Sequence, residues 1–183
     1  MQEFVLPLHH CTTAGIRNKK FYVSFVMKIN PWKLLEQYPP FLVEALVTLA
    51  REKSAPCYIA GGTVRDFLMG WKAKDLDITV AKDGFGWARE LALKLKGTFI
   101  PMDEEEDTAR VVWQRICVDF SSFREGAQNI EEDLLKRDFT INSMAIPFPA
   151  GNPASCDDPG PPEILDPADG QGKVLRGFCA IIW

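Results

Sequence analysis

Two carboxylates one residue apart, Asp75 and Asp77 in "KDLDITV", have the clearest capacity for chemistry in this sequence. Held side by side on a rigid element, they supply oxygen ligands for divalent cations. Nucleotidyl transfer needs such ions to neutralise charge on the reacting phosphate. An isolated D-x-D is a common pattern, so the residues around it decide. Upstream, "CYIAGGTVRDFLM" sets Gly61 and Gly62 between a short apolar run and a helical segment. Glycines there allow close backbone approach, and the free N–H groups of the following helix turn favour an anion such as a triphosphate. Arg65, on that first turn, adds a charge-assisted donor. The stretch matches neither G-x-x-x-x-G-K-[ST] nor G-x-G-x-x-G, which excludes a P-loop and a Rossmann turn. A third carboxylate, Asp119 in "ICVDFS", lies on the polar side of another alternating run. Strand pairing either brings it to the face of the first two or leaves it facing solvent.

The elements that must hold these groups follow from periodicity. Asp75 to Val80 alternates strictly, with Leu76, Ile78 and Val80 on one face and Asp75, Asp77 and Thr79 on the other. Cys57 to Ala60 reads as a strand, and "TVRDFLM" as a short helix closed by Gly70. "PFLVEALVTLAREK" is an amphipathic helix that opens with Pro40 and turns Phe41, Ala45, Leu46, Leu49 and Ala50 inward. Phe85 to Lys96 forms another, ended by Gly97. "TFIPM", "ARVVW" and "ICVDFS" are strands, and the last points Ile116, Val118 and Phe120 one way and Cys117, Asp119 and Ser121 the other. Asn129 with Glu132 three residues on starts a further helix that carries Leu134 and Leu135 inward.

With 46% hydrophobic and 25% charged residues, the chain is globular rather than disordered. No apolar run reaches the roughly 18 to 20 residues of a membrane helix. The N-terminus lacks the order of a secretory signal, and five cysteines form no C-x-x-C pair, so a cytoplasmic protein with reduced thiols is expected. A formal charge of -4 leaves no basic face for nucleic acid. His9, His10 and Cys11 are read as surface residues, "DEEED" at 103–107 as a solvated turn, and Trp71, Trp87, Trp113 and Trp183 as core or cap aromatics.

Taken in order, "GGTVRD", "KDLDITV", "VDFSSFREG" and "EEDLLKRDFTINSMA" resemble the head domain of class II tRNA nucleotidyltransferases and bacterial poly(A) polymerases, closely over Cys57 to Ala145 and with an echo at "ILDPADG". The resemblance implies an α+β nucleotidyltransferase palm, with a mixed sheet, helices on one face and carboxylates on the other. It implies that Asp75, Asp77 and Asp119 hold two Mg²⁺ ions, Asp119 holding the ion that acidifies the attacking hydroxyl. Gly61, Gly62 and Arg65 then lie at the triphosphate of ATP or CTP. Arg137, in "KRDFTINSMA", matches an arginine that reaches the nucleotide, and Lys136 stands where the family has a preceding arginine. For Asp66 and Asp138 a capping or salt-bridging role is as well supported.

The implied reaction joins CMP or AMP to an RNA 3′ end, that of tRNA by this resemblance. The family's neck, body and tail domains grip the RNA, and the sequence stops before them, so a fragment, a split-gene product or a frame-shifted reading is expected. Residues 1–29 are set apart as a leader, 30–148 as the head and 149–183 as a Pro/Gly-rich linker and the start of a neck. Two other readings fit: a non-catalytic remnant that keeps the nucleotide-binding fold, and a stand-alone nucleotidyltransferase acting on a small molecule.

Overall fold

A computed structural model describes residues 29–150 and 162–175. Asn30 caps a first short helix, α1 (Pro31–Leu35), by accepting from the Trp32 N–H, and α2 (Pro40–Lys53) follows with proline in its first turn. Then come β1 (Cys57–Ala60), α3 (Gly62–Leu68), β2 (Asp75–Val80), α4 (Gly84–Leu95), β3 (Thr98–Asp103), β4 (Thr108–Trp113) and β5 (Ile116–Ser122). α5 (Ile130–Leu135), a 3-10 turn at Thr140–Asn142, β6 (Ala145–Pro147) and α6 (Gly170–Leu175) complete the described order.

The strands form one sheet in the order β3-β4-β5-β2-β1-β6. β2 and β5 run parallel and the other neighbours antiparallel, so the sheet is mixed as expected. Period-2 alternation gives it two different faces. Leu76, Ile78 and Val80 of β2, Val118 and Phe120 of β5, and Ala109 and Val111 of β4 are buried in one core with α2 and α4. Each large side chain so buried contributes about 1.5 to 3 kcal/mol. The opposite face carries Asp75, Asp77, Thr79, Asp119 and Ser121. One helix lies on that face: Ile130 and Leu134 of α5 pack on Ala60 and Ala145, beside Tyr58 and Phe123.

Three expectations change on the structure. Phe41 is 56% exposed and Leu42 is buried in its place, because the stripe that Ala45, Leu46, Leu49 and Ala50 form as expected continues back to Leu42, three and four residues before Ala45 and Leu46. Leu135 is 47% exposed, since α5 ends there and turns only Leu134 into the cluster. "DEEED" is not uniformly solvated. Its last residue, Asp107, accepts from the N–H groups of Gly84 and Phe85 at the start of α4 (2.8 and 2.9 Å) and from Ser122 Oγ. Burial pushes its carboxyl up, but these bonds outweigh that and hold it below the ordinary value.

Residues 162–175 return to the sheet. Leu165 and Ala145 exchange both backbone hydrogen bonds, and Ile164 is buried in the main core. Asp166 accepts from Gly170 N and Gln171 N (2.6 and 2.8 Å) at the start of α6. A Cβ on Gly170 would stand 2.3 Å from the Thr140 carbonyl oxygen, so the helix sits this close only with glycine there. The expected leader up to residue 28, with His9, His10 and Cys11, lies outside the described residues, as do 151–161 and the tail from 176 onward with Trp183.

Candidate active site

Parallel pairing places Asp77 opposite Asp119, and period 2 adds Asp75 to the same face. The third carboxylate therefore lies on the face of the first two. Thr63, just after the glycine pair, pins β2: its Oγ1 donates to the Asp75 carbonyl (3.2 Å) and accepts from Asp77 N (2.8 Å). Its own N–H donates to Asp77 Oδ2 (3.1 Å). Tyr38 Oη donates to the same Asp75 carbonyl (3.0 Å), tying the turn between α1 and α2 to the strand.

The double glycine is explained by proximity. Gly61 adopts φ 66°, a left-handed conformation unfavourable to side chains, and a Cβ there would lie 3.0 Å from Arg137 Nη1 and 3.3 Å from Asp77 Oδ2. At Gly62 a Cβ would lie 3.2 Å from Asp77 Oδ2 and 3.4 Å from Arg65 Nη2. The turn thus has two guanidinium groups and a carboxylate against its backbone. Arg65 is oriented by Asp66 Oδ1 (2.8 Å) and Asn142 Oδ1 (2.7 Å). Asp66 accordingly salt-bridges, while Asp138 is exposed.

Arg137 is held more firmly. It donates to Asp133 Oδ2 from Nε and Nη2 (3.2 and 3.0 Å) and to Thr79 Oγ1 (2.9 Å). Asp133 is fully buried and also accepts from Arg124 N and Nη1 (3.0 and 3.1 Å). The capping-box spacing found this helix but not the burial of Asp133, which pairs with Arg137 four residues on and with Arg124 nine residues back. Asn129 does cap α5, accepting from Glu132 N at 2.9 Å.

Burial pushes the Asp77 carboxyl above its ordinary value and the Asp119 charge adds to this, against the Thr63 bonds and Arg137. A cation on this face would relieve both contributions. The donors are carboxylate oxygens, the chemistry that hard divalent ions such as Mg²⁺ take. Among the described residues, however, no three such groups are gathered as a ready ligand set. Asp119 is engaged by Arg110 of β4 through two bonds of 2.7 Å, a residue that periodicity left unassigned. A hollow of about 490 Å³ opens beside Asp75 and Asp77, which line it with Gly62, Arg65, Lys74 and Trp71. Trp71 is 57% exposed, whereas Trp87 is core as expected. A larger apolar hollow of about 590 Å³ lies between α1 and α2 and includes none of these carboxylates.

Residues 57–177 match the model of the poly(A) polymerase head domain. The chain belongs to this family. The chain is 36% identical over 145 residues to a CC-adding tRNA nucleotidyltransferase of Geobacter sulfurreducens, covering 76% of this chain and 31% of that protein. It is 29% identical over 156 residues to an A-adding tRNA nucleotidyltransferase of Halalkalibacterium halodurans, covering 77% of this chain and 34% of the relative. Among solved structures, a Thermotoga maritima CCA-adding enzyme complexed with tRNA superposes with a TM-score of 0.66 and 31% identity, covering 85% of this chain and 36% of that one. The chain thus spans about a third of the length of these relatives. The nucleotidyltransferase palm expected from the motifs is the fold found.

Proposed function

We propose that this chain is the nucleotide-activating head of a template-independent RNA nucleotidyltransferase, which joins CMP or AMP to an RNA 3′ end, that of tRNA by analogy with its relatives. The observation that carries the reading is the placement of Asp75, Asp77 and Asp119 on one sheet face, with Asp77 against the Gly61-Gly62 turn. Asp75 and Asp77, joined by Asp119, are the residues to hold Mg²⁺. When bound, such ions neutralise the α-phosphate and activate the attacking 3′-hydroxyl.

The chain's own residues do the rest. Gly61 and Gly62 let the triphosphate approach the backbone, and Arg65 supplies donors to its oxygens. Arg137, anchored by Asp133 and Thr79, holds positive charge beside Asp77 without itself needing to move. Fixed donors of this kind position pyrophosphate to leave in line with attack. Relatives that add CC and relatives that add A both match, and the residues proposed here touch phosphate and ion rather than base.

The test is calorimetric titration of CTP and of ATP into the 183-residue chain with and without Mg²⁺, followed by incorporation of labelled nucleotide into tRNA lacking its terminal CCA. Binding that needs Mg²⁺ and is lost in Asp77→Asn is expected. Absence of any Mg²⁺-dependent triphosphate binding would overturn the proposal.

A further inference from the structure

Two of the arginines near the carboxylates, Arg137 and Arg110, are held very differently. Arg137 has a side chain only 10% exposed and is clamped by the buried Asp133. Arg110 is 32% exposed, stands opposite Asp119 in the β4–β5 register, and places Nε and Nη2 on the two Asp119 oxygens at 2.7 Å each. Its Nη2 also lies 3.9 Å from Asp75 Oδ2. One guanidinium thus satisfies both oxygens of the third carboxylate and leans toward the first.

We propose that Arg110 is an exchangeable counter-cation of the metal site: it holds Asp119 in the ion-free protein and yields that carboxylate when a divalent ion enters. The inference rests on the reading of Asp75, Asp77 and Asp119 as ion ligands. Arg110 takes one lone pair on each Asp119 oxygen and sets its own positive charge against the carboxylate, so a divalent ion competes with it for Asp119 and gains that ligand fully as Arg110 leaves. The geometry permits that exchange. Arg110 is partly open to solvent, its two ion pairs, to Asp119 at 2.7 Å and to Asp75 at 3.9 Å, are both with carboxylates proposed to hold the ion, and a divalent ion offers twice its charge to several carboxylates at once. Apparent ion affinity is then lowered by the fraction of molecules in which the pair is closed. Arg110 is in this sense a positioning residue, acting through Asp119.

Mn²⁺ binding to the nucleotide-free chain, followed by the electron paramagnetic resonance of the free ion, reads this directly. Arg110→Gln is expected to bind Mn²⁺ about threefold more tightly than the unmodified chain, and Arg110→Lys, which keeps charge but loses the paired bonds, to fall between them. Melting without ions should drop in Arg110→Gln, and Mn²⁺ should raise it by more than it raises the unmodified chain. Lys74→Gln removes the same charge from the hollow without touching Asp119 and should change affinity by less. Equal or weaker Mn²⁺ binding in Arg110→Gln, or equal tightening in Lys74→Gln, overturns the exchange while leaving the carboxylate site standing. Unchanged Mn²⁺ binding in Asp77→Asn would overturn both.

Discussion

Asp77 carries three roles with one side chain. It accepts the Thr63 N–H, lies against the backbone of both glycines, and shares its face with Asp119. Without an ion this is an unfavourable place for a carboxylate, because it is desolvated and has a like charge opposite. Asp77→Asn keeps the acceptor for Thr63 and removes the charge. The variant should melt no lower than the unmodified chain in chelator, and Mg²⁺-dependent nucleotide incorporation should fall by more than about 100-fold as several kcal/mol of charge neutralisation is lost. Differential scanning calorimetry and a labelled-nucleotide assay measure the two halves. A variant that melts markedly lower in chelator would show Asp77 to be a structural residue.

At the level of elements, two buried or half-buried aspartates fasten helices to the sheet. Asp133 is fully buried between Arg124 and Arg137, and through them it ties α5 to Thr79 of β2. Breaking a buried pair by removing one partner costs about 3 to 5 kcal/mol, so Asp133→Asn should lower Tm by roughly 6 to 20 °C in a chain of this size. Thermal unfolding followed by circular dichroism tests it, and a loss below a few degrees would mean that the arginines find other partners. Asp107 caps α4 from the β3–β4 turn, and losing such a cap costs about 1 kcal/mol. Its carboxyl is held below its unfolded value of 3.8, so its contribution is present above that pH and is lost as pH falls through the folded value. The stability difference between the unmodified chain and Asp107→Asn should therefore be full near neutrality and close in acid. Urea unfolding at pH 7 and near pH 3 measures it, and a difference that grows in acid would contradict the assignment.

For the molecule as a whole, the elements proposed to bind nucleotide present guanidinium donors, carboxylates and a hollow of mixed lining, groups that suit phosphate and ion rather than a base edge. The chain should bind CTP and ATP with affinities within tenfold of each other, a difference below about 1.4 kcal/mol. Calorimetry with each triphosphate in Mg²⁺ tests this. A larger preference would mean that residues in this chain, with exposed Trp71 the first to replace, contact the base.

Local pattern determined a great deal here. Strict alternation from Asp75 to Val80 is by itself enough to place the two acids on one face. The ordered motifs from Gly61 to Ala145 pointed to the palm, and proline and Asn129 marked two helix starts correctly. These features are set within a few residues, by backbone periodicity and capping. What depended on contacts between distant segments was not legible. That Asp119 joins Asp77 follows from parallel pairing of β5 with β2, and either side of β2 was open to a strand with the same alternation. Asp133 is buried and Asp107 is a cap only because helices and a turn dock where they do. The engagement of Asp119 by Arg110 likewise needs β4 to pair with β5 in one register, because a slip of one residue would turn the guanidinium to the apolar face.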